Sequence, residues 1–311
     1  MTRPARFLVL RGGAIGDFML TLPVLQALRA RWPDAWIEVL GYPHVAELAL
    51  AAGLANRVES LDRAGVARFF SVVPEFPEEQ VAYLRSFDFV VCYLHDPTGI
   101  VRENLKLAGA RDVLYGSPMV ERGHAIEHLL KPLESLAIYA GGEQPALGLA
   151  EAQREAGRRW IREQGLRAPV MAVHPGSGSP AKNWPLDRFV ETARRIGTSR
   201  RLDFFYLLGE ADRGMSAALA RMDPARPVLK EAPLREVAGV LSACRLYLGN
   251  DSGITHLAAA VGAPVVALFG PSDDSRWGPR GPSVRVVRAP DSDLNDLEVD
   301  AVLSVVEGLL K

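Results

Sequence analysis

Twice along this chain a short apolar run meets a glycine-containing turn and passes directly into a helical pattern. Phe7-Leu8-Val9-Leu10 ends at Arg11-Gly12-Gly13, after which Ile15, Met19, Leu22, Leu25 and Leu28 recur at spacings of three and four. Residues 170–174 run into Pro175-Gly176-Ser177-Gly178-Ser179, and a helix is expected over 185–196, with Pro185 in its first turn and Gly197 as its stop. A strand apolar along its whole length is buried on both faces, and repeated strand-loop-helix units build parallel sheet. The pattern predicts an α/β chain of two Rossmann-like, doubly wound domains facing across a cleft.

Between these two starts the alternation continues. Further strands are expected over 36–41, 87–94, 204–208, 246–248 and 265–269. Helices are expected over 44–54, 151–165, 215–222, 234–242, 254–261 and 293–310. The pattern weakens between about 118 and 150, which puts a linker near 145–165. Domains are accordingly expected over 1–150 and 151–290, with 291–311 as a C-terminal helix. The 311 residues suit two domains, since one domain takes about 150.

Charge excludes one class of partner. The chain has 36 basic and 37 acidic side chains, and neither half has the basic excess that sequence-independent nucleic-acid binding requires. The two cysteines, Cys92 and Cys244, lie in apolar runs and are expected in different domains, which argues against a disulfide and for a reduced, cytoplasmic setting. No signal-peptide core follows Met1, and no run of about 18 apolar residues occurs. A soluble protein is expected, with room for a peripheral place at the inner face of the cytoplasmic membrane.

Three segments carry the chemistry. The first is Arg11-Gly12-Gly13-Ala14-Ile15-Gly16-Asp17. Its glycines let backbone approach a ligand, but a carboxylate at the helix start would repel phosphate there. Asp17 is either a helix cap or an anion facing a hydroxyl-bearing ligand. The second is His174 to Pro185, where Ser177, Gly178 and Ser179 offer amides and hydroxyls and Lys182 offers a point charge. Only five of the 36 basic residues are Lys, so one beside such a loop stands out; its plain reading is a solvated loop residue. The third is Leu248-Gly249-Asn250-Asp251-Ser252-Gly253-Ile254-Thr255-His256, which follows a strand and opens an Ala-rich helix. Amides near Ser252 and Gly253 can point at a diphosphate, with His256 on the first turn. Its plain reading is an N-cap and a packed histidine.

Other signatures are missing or uninformative. No zinc spacing, G-x-S-x-G elbow, Walker A loop or G-x-G-x-x-G fingerprint occurs. Asp291-Ser292-Asp293 is formally a D-x-D, but it follows Pro290 and reads as helix capping.

Taken together and in this order, the three segments, with Thr21-Leu22-Pro23 and the stretch to Gly270-Pro271, resemble the family-9 glycosyltransferases, the lipopolysaccharide heptosyltransferase family. The resemblance implies a GT-B fold, with an acceptor-binding first domain and a nucleotide-sugar-binding second domain. It implies inverting transfer of a heptose from an ADP-activated sugar to a hydroxyl of a lipopolysaccharide core or other glycan acceptor, with no metal or other cofactor. By the same resemblance Asp17 is the general base, with Gly13 and Gly16 on the acceptor side. Lys182 binds phosphate and is catalytic; Ser177, Gly178 and Ser179 line the donor loop; Glu210 contacts a ribose. Asp251 lies near the donor sugar, with Ser252, Gly253 and His256 around the diphosphate. The implied partners are the ADP-sugar and a glycan or glycolipid acceptor at the inner membrane surface, with no nucleic acid and no protein partner. Two other readings fit the same fold: a nucleotide-sugar epimerase, or a nucleotide-sugar binding protein without transfer.

Overall fold

The apolar runs fold as the central strands of two separate parallel sheets in a computed structural model that describes residues 3–62 and 64–310. The chain divides into two units, Met1–Glu143 and Gln144–Lys311. The first contains β1 (Arg6–Leu10), α1 (Ile15–Arg31), β2 (Trp36–Gly41), α2 (Pro43–Ala51), β3 (Arg57–Ser60) and α3 (Ala64–Ala67). It continues with α4 (Glu78–Arg85), β4 (Phe89–Cys92), α5 (Ile100–Leu107), β5 (Asp112–Tyr115) and α6 (Ala125–Leu130). Its sheet has the order β3-β2-β1-β4-β5, every pair parallel. One face is sealed by Leu8, Leu10, Phe69, Leu84, Phe87, Val90 and Leu105.

The second unit starts with α7 (Glu151–Glu163), β6 (Val170–His174), α8 (Leu186–Arg200), β7 (Asp203–Leu208), α9 (Arg213–Met222) and β8 (Val228–Lys230). It ends with α10 (Leu234–Leu241), β9 (Leu246–Asn250), α11 (Gly253–Ala260), β10 (Val265–Phe269), α12 (Asp274–Trp277), β11 (Val284–Arg288) and α13 (Val299–Leu309). The order β11-β10-β9-β6-β7-β8 is again all parallel. Met171, Val173, Trp184, Phe189, Phe204, Leu246 and Val302 belong to its core.

Each sheet reverses its winding once, between β1 and β4 in the first unit and between β6 and β9 in the second. Ligands of open α/β sheets bind outside the carboxyl ends of the strands at such switch points. The Arg11–Asp17 segment follows β1, and the Pro175 and Asp251 loops follow β6 and β9. All three chemistry-bearing segments therefore leave a sheet at its switch point.

Three expectations about elements are corrected. Gly197 does not stop α8, which runs on to Arg200 and ends where Arg201 takes a left-handed conformation (φ 52°). The lack of a side chain at 197 serves packing instead: a Cβ there would lie 3.2 Å from the Phe204 ring. The expected helix over 293–310 begins only at Val299. Upstream, two short 3-10 turns, Pro290–Ser292 and Leu294–Asp296, are broken by positive φ at Asp291 and Ser292. Asp293 caps the second turn by accepting the Asn295 N–H at 2.9 Å, as the capping reading of the D-x-D implies. Finally, β9 continues two residues past Leu248, which carries Asn250 into the sheet.

Candidate active site

In the first unit, the turn after β1 is shaped around Asp17. Gly13 adopts φ +100°, and a Cβ there would meet Asp17 Oδ2 at 2.6 Å, so only glycine fits. That oxygen accepts the Ala14 N–H at 2.8 Å, satisfying one of the amides that the start of α1 leaves unpaired. The other oxygen lies 3.3 Å from the guanidinium of Arg11. Arg11 is almost fully buried; its Nε donates to Thr21 Oγ1 (2.9 Å), which in turn donates to the Asp17 carbonyl (2.8 Å). Burial lowers the Arg11 pKa, opposed by Asp17 and Tyr93, yet a guanidinium stays charged at any ordinary pH. Asp17 thus caps its helix and still leaves 36% of its side chain in solvent.

In the second unit, Asn250 joins the two loops of the switch point. Fully buried at the end of β9, it donates from Nδ2 to the Pro175 carbonyl (2.7 Å) and accepts the Trp184 N–H on Oδ1 (3.1 Å). Both ends of the Pro175–Trp184 loop are thereby fixed to β9. Inside it, Ser177 Oγ donates to the Ser179 carbonyl at 2.7 Å and accepts the Ser179 N–H at 3.2 Å. Gly178 has open space around it. Lys182 reaches across to Asp251, Nζ to Oδ2 2.7 Å, with 37% of the lysine and 8% of the aspartate side chain exposed. An ammonium has three donors, so this contact leaves others for a ligand. Ser252 is the N-cap of α11, accepting the Thr255 N–H on its hydroxyl, and the amides of Gly253 and Ile254 precede the first helical hydrogen bond. A helix start beside a lysine is an anion-binding arrangement.

A buried polar chain lies under these loops. His174 Nε2 is 3.1 Å from Asp212 Oδ2, and its Nδ1 is 3.2 Å from the Tyr247 hydroxyl and 3.3 Å from that of Ser252. Tyr247 and Ser252 each also approach Thr255 Oγ1, at 3.0 and 3.1 Å, and Thr255 donates to the Asn250 carbonyl. Burial pushes the Asp212 carboxyl up, but the hydrogen bond from His174, the charge of that imidazole when it is protonated, and the Gly209 N–H outweigh burial and leave it below the ordinary value. The carboxylate lies so close to Gly176 that a Cβ there would meet it at 1.8 Å.

The structure brings Lys182 to Asp251 and Ser252 to His174, and keeps Ser177, Gly178 and Ser179 in one loop. Glu210 opens the turn that carries Asp212, but its own exposed carboxylate pairs with Arg213 at 3.3 Å. His256 is buried on the first turn of α11. Gly13 precedes the N-cap of α1, and Gly16 lies inside its first turn beside Asp17. Sequence reasoning misses Arg11, Thr21, Asp212, Tyr247 and Asn250 as members of these clusters, and includes His174 in the second segment without giving it a role. No linear signal pairs residues 174 and 212; only the glycine at 176, with no room for a side chain, hints at a close neighbour. Among the described residues no group of three or more His, Cys, Asp or Glu could hold a metal ion.

The model of glycosyltransferase family 9 (heptosyltransferase) matches residues 103–304. Lipopolysaccharide heptosyltransferase 3 of Escherichia coli K12 is 24% identical over 285 residues, covering 85% of this chain and 82% of that protein. Among solved structures, the family 9 glycosyl transferase of Veillonella parvula superposes with a TM-score of 0.82 at 21% identity, covering 100% of this chain and 98% of that one. Escherichia coli heptosyltransferase WaaC with ADP gives 0.73 at 18%, covering 98% and 99%. The fold is thus the GT-B-like fold of these enzymes, and the chain belongs to glycosyltransferase family 9, the heptosyltransferase family.

Proposed function

We propose that this glycosyltransferase moves a heptose from an ADP-activated donor to a hydroxyl of a lipopolysaccharide core or related glycan, with inversion at the anomeric carbon. The second unit holds the donor and the first supplies the acceptor-side base. Asp17 takes the proton of the attacking hydroxyl, whose oxygen bonds to the anomeric carbon while the bond to the β-phosphate breaks and ADP leaves. Lys182 and the amides at the start of α11 take up the negative charge that develops on the diphosphate, the task a divalent cation performs in other transferases. Ser177, Gly178 and Ser179 line the donor loop, Glu210 meets the ribose, and Asp251 holds Lys182 beside the sugar. His256 backs the diphosphate from the first turn of α11. We place the reaction in the cytoplasm, with the acceptor at the inner membrane surface.

The observation that carries this reading is the joining of Lys182, Asp251 and the Ser252 cap at the switch point of the second unit. For the base, support comes from an exposed carboxylate oriented by the Ala14 N–H and Arg11. Asp17→Asn separates the two roles of that side chain, because an amide oxygen can still accept the Ala14 N–H but cannot take a proton. Transfer measured by mass spectrometry is expected to fall by about 10²–10⁴-fold, the usual share of a general base, while ADP affinity changes less than about twofold. Equal losses in both would make Asp17 structural.

A further inference from the structure

We infer that His174, clamped by Asp212, is a positioning residue that decides where the Ser252 hydroxyl hydrogen points, so that a diphosphate on Ser252 binds together with a proton on His174. The inference rests on the donor-site reading above and adds a proton to it.

Counting hydrogens gives the argument. The Asp212 carboxylate at 3.1 Å fixes the hydrogen of neutral His174 on Nε2, leaving Nδ1 as an acceptor. Thr255 gives its own hydrogen to the Asn250 carbonyl, so Thr255 Oγ1 is a second acceptor. Two hydroxyls, Tyr247 and Ser252, face these two acceptors at 3.0–3.3 Å. Whichever hydroxyl serves which acceptor, both hydrogens are used inside the network. An outward-turned Ser252 hydroxyl then leaves a buried acceptor unpaired, which is costly.

Protonating Nδ1 reverses this. A proton from solvent bonds to Nδ1, and the new N–H donates to the Ser252 or Tyr247 oxygen. Tyr247 then donates to Thr255, and the Ser252 hydrogen is released toward the ligand. The imidazolium also puts a buried positive charge behind the anion site. Of the other charged or titratable groups of these loops, Lys182 pairs with Asp251 and Glu210 with Arg213, while burial keeps the Tyr247 hydroxyl of the network protonated. His256, buried on the first turn of α11, is the other imidazole of this segment.

The test is calorimetry with ADP-glucose, whose phosphates are diesters and do not titrate near neutral pH, in buffers of differing ionisation enthalpy. The expected result is uptake of a fraction of one proton near pH 7 and an affinity about tenfold weaker at pH 8 than at pH 6. His174→Gln and Ser252→Ala are each expected to abolish the pH dependence, and Asp212→Asn to move it to lower pH. The His174 imidazole signals in the wild-type NMR spectrum should shift to the protonated form when ADP-glucose is added, a readout that needs no variant to fold. PH-independent affinity without proton uptake in the wild type overturns the inference and leaves the donor site standing. Uptake that persists in His174→Gln assigns the proton to another group, such as His256, and overturns it too. No binding of ADP-glucose at any pH removes the donor-site reading itself, and this inference with it.

Discussion

Asp251 keeps only 8% of its side chain in solvent, and its charge is tolerable because Lys182 sits 2.7 Å away. Lys182→Ala therefore removes a cation from the anion site and also leaves a carboxylate facing the incoming diphosphate. ADP affinity is expected to fall by about 10–100-fold, or about 1.4–2.8 kcal/mol. Adding Asp251→Asn to that variant should restore part of the loss, and calorimetry on the four proteins of the cycle measures the coupling. Asp212 makes a pH prediction at the same scale. Its carboxyl is lower in the folded protein than its usual value of about 3.9, so it contributes stability above that value. The contribution is lost as pH falls through the folded value. Melting temperatures of wild type and Asp212→Asn should accordingly converge below about pH 4. The loops that hold these residues can be read from the sequence, because small residues after an apolar run mark a strand end. The pairings within them cannot: Lys182 and Asp251 are 69 residues apart, and His174 and Asp212 are 38.

Helices α7 and α10 touch backbone to backbone. A Cβ on Gly157 would lie 2.1 Å from the Gly239 carbonyl oxygen, and one on Gly239 would lie 2.6 Å from that of Gln153. Replacing glycine by alanine inside a helix normally stabilises by about 0.5–1 kcal/mol. Here the sign reverses, since the carbonyl is rigid and has nowhere to go. Gly157→Ala is expected to destabilise by about 1–3 kcal/mol in urea unfolding, whereas Gly308→Ala in α13, with nothing within 4 Å, should be neutral or slightly stabilising. The same elements explain what the sequence concealed. The central strands β1, β6 and β10 are continuous apolar runs and can be read directly. The outer strands β3, β5, β8 and β11 are short, partly exposed and interspersed with Arg, Glu, Asp or Lys, so neither alternation nor an apolar run reveals them. Gly197 misleads for a related reason: a packing glycine and a terminating glycine look alike until the neighbouring ring is known.

Each unit carries one cysteine, which makes the chain its own reporter. Cys92 ends β4 in the core of the first unit; Cys244 precedes β9 in the second, its Sγ 3.3 Å from the Val240 carbonyl oxygen. Both are free and buried, and burial pushes each thiol up to about 12. A thiol raised in this way favours folding fully below its unfolded value of about 8.5, and the contribution fades as pH climbs toward 12. At pH 8 a thiol reagent should thus label neither cysteine in the native protein and both in denaturant. Because each unit has its own core, each labelling midpoint reports the unfolding of the unit that carries that cysteine. A ligand stabilises what it binds by RT ln(1 + [L]/Kd), about 2.7 kcal/mol at a hundredfold excess over Kd. If ADP is held by the second unit alone, it should raise the urea midpoint for labelling Cys244 and leave that for Cys92 nearly unchanged. Equal shifts would mean that the units unfold as one, and a shift confined to Cys92 would move the nucleotide to the other unit.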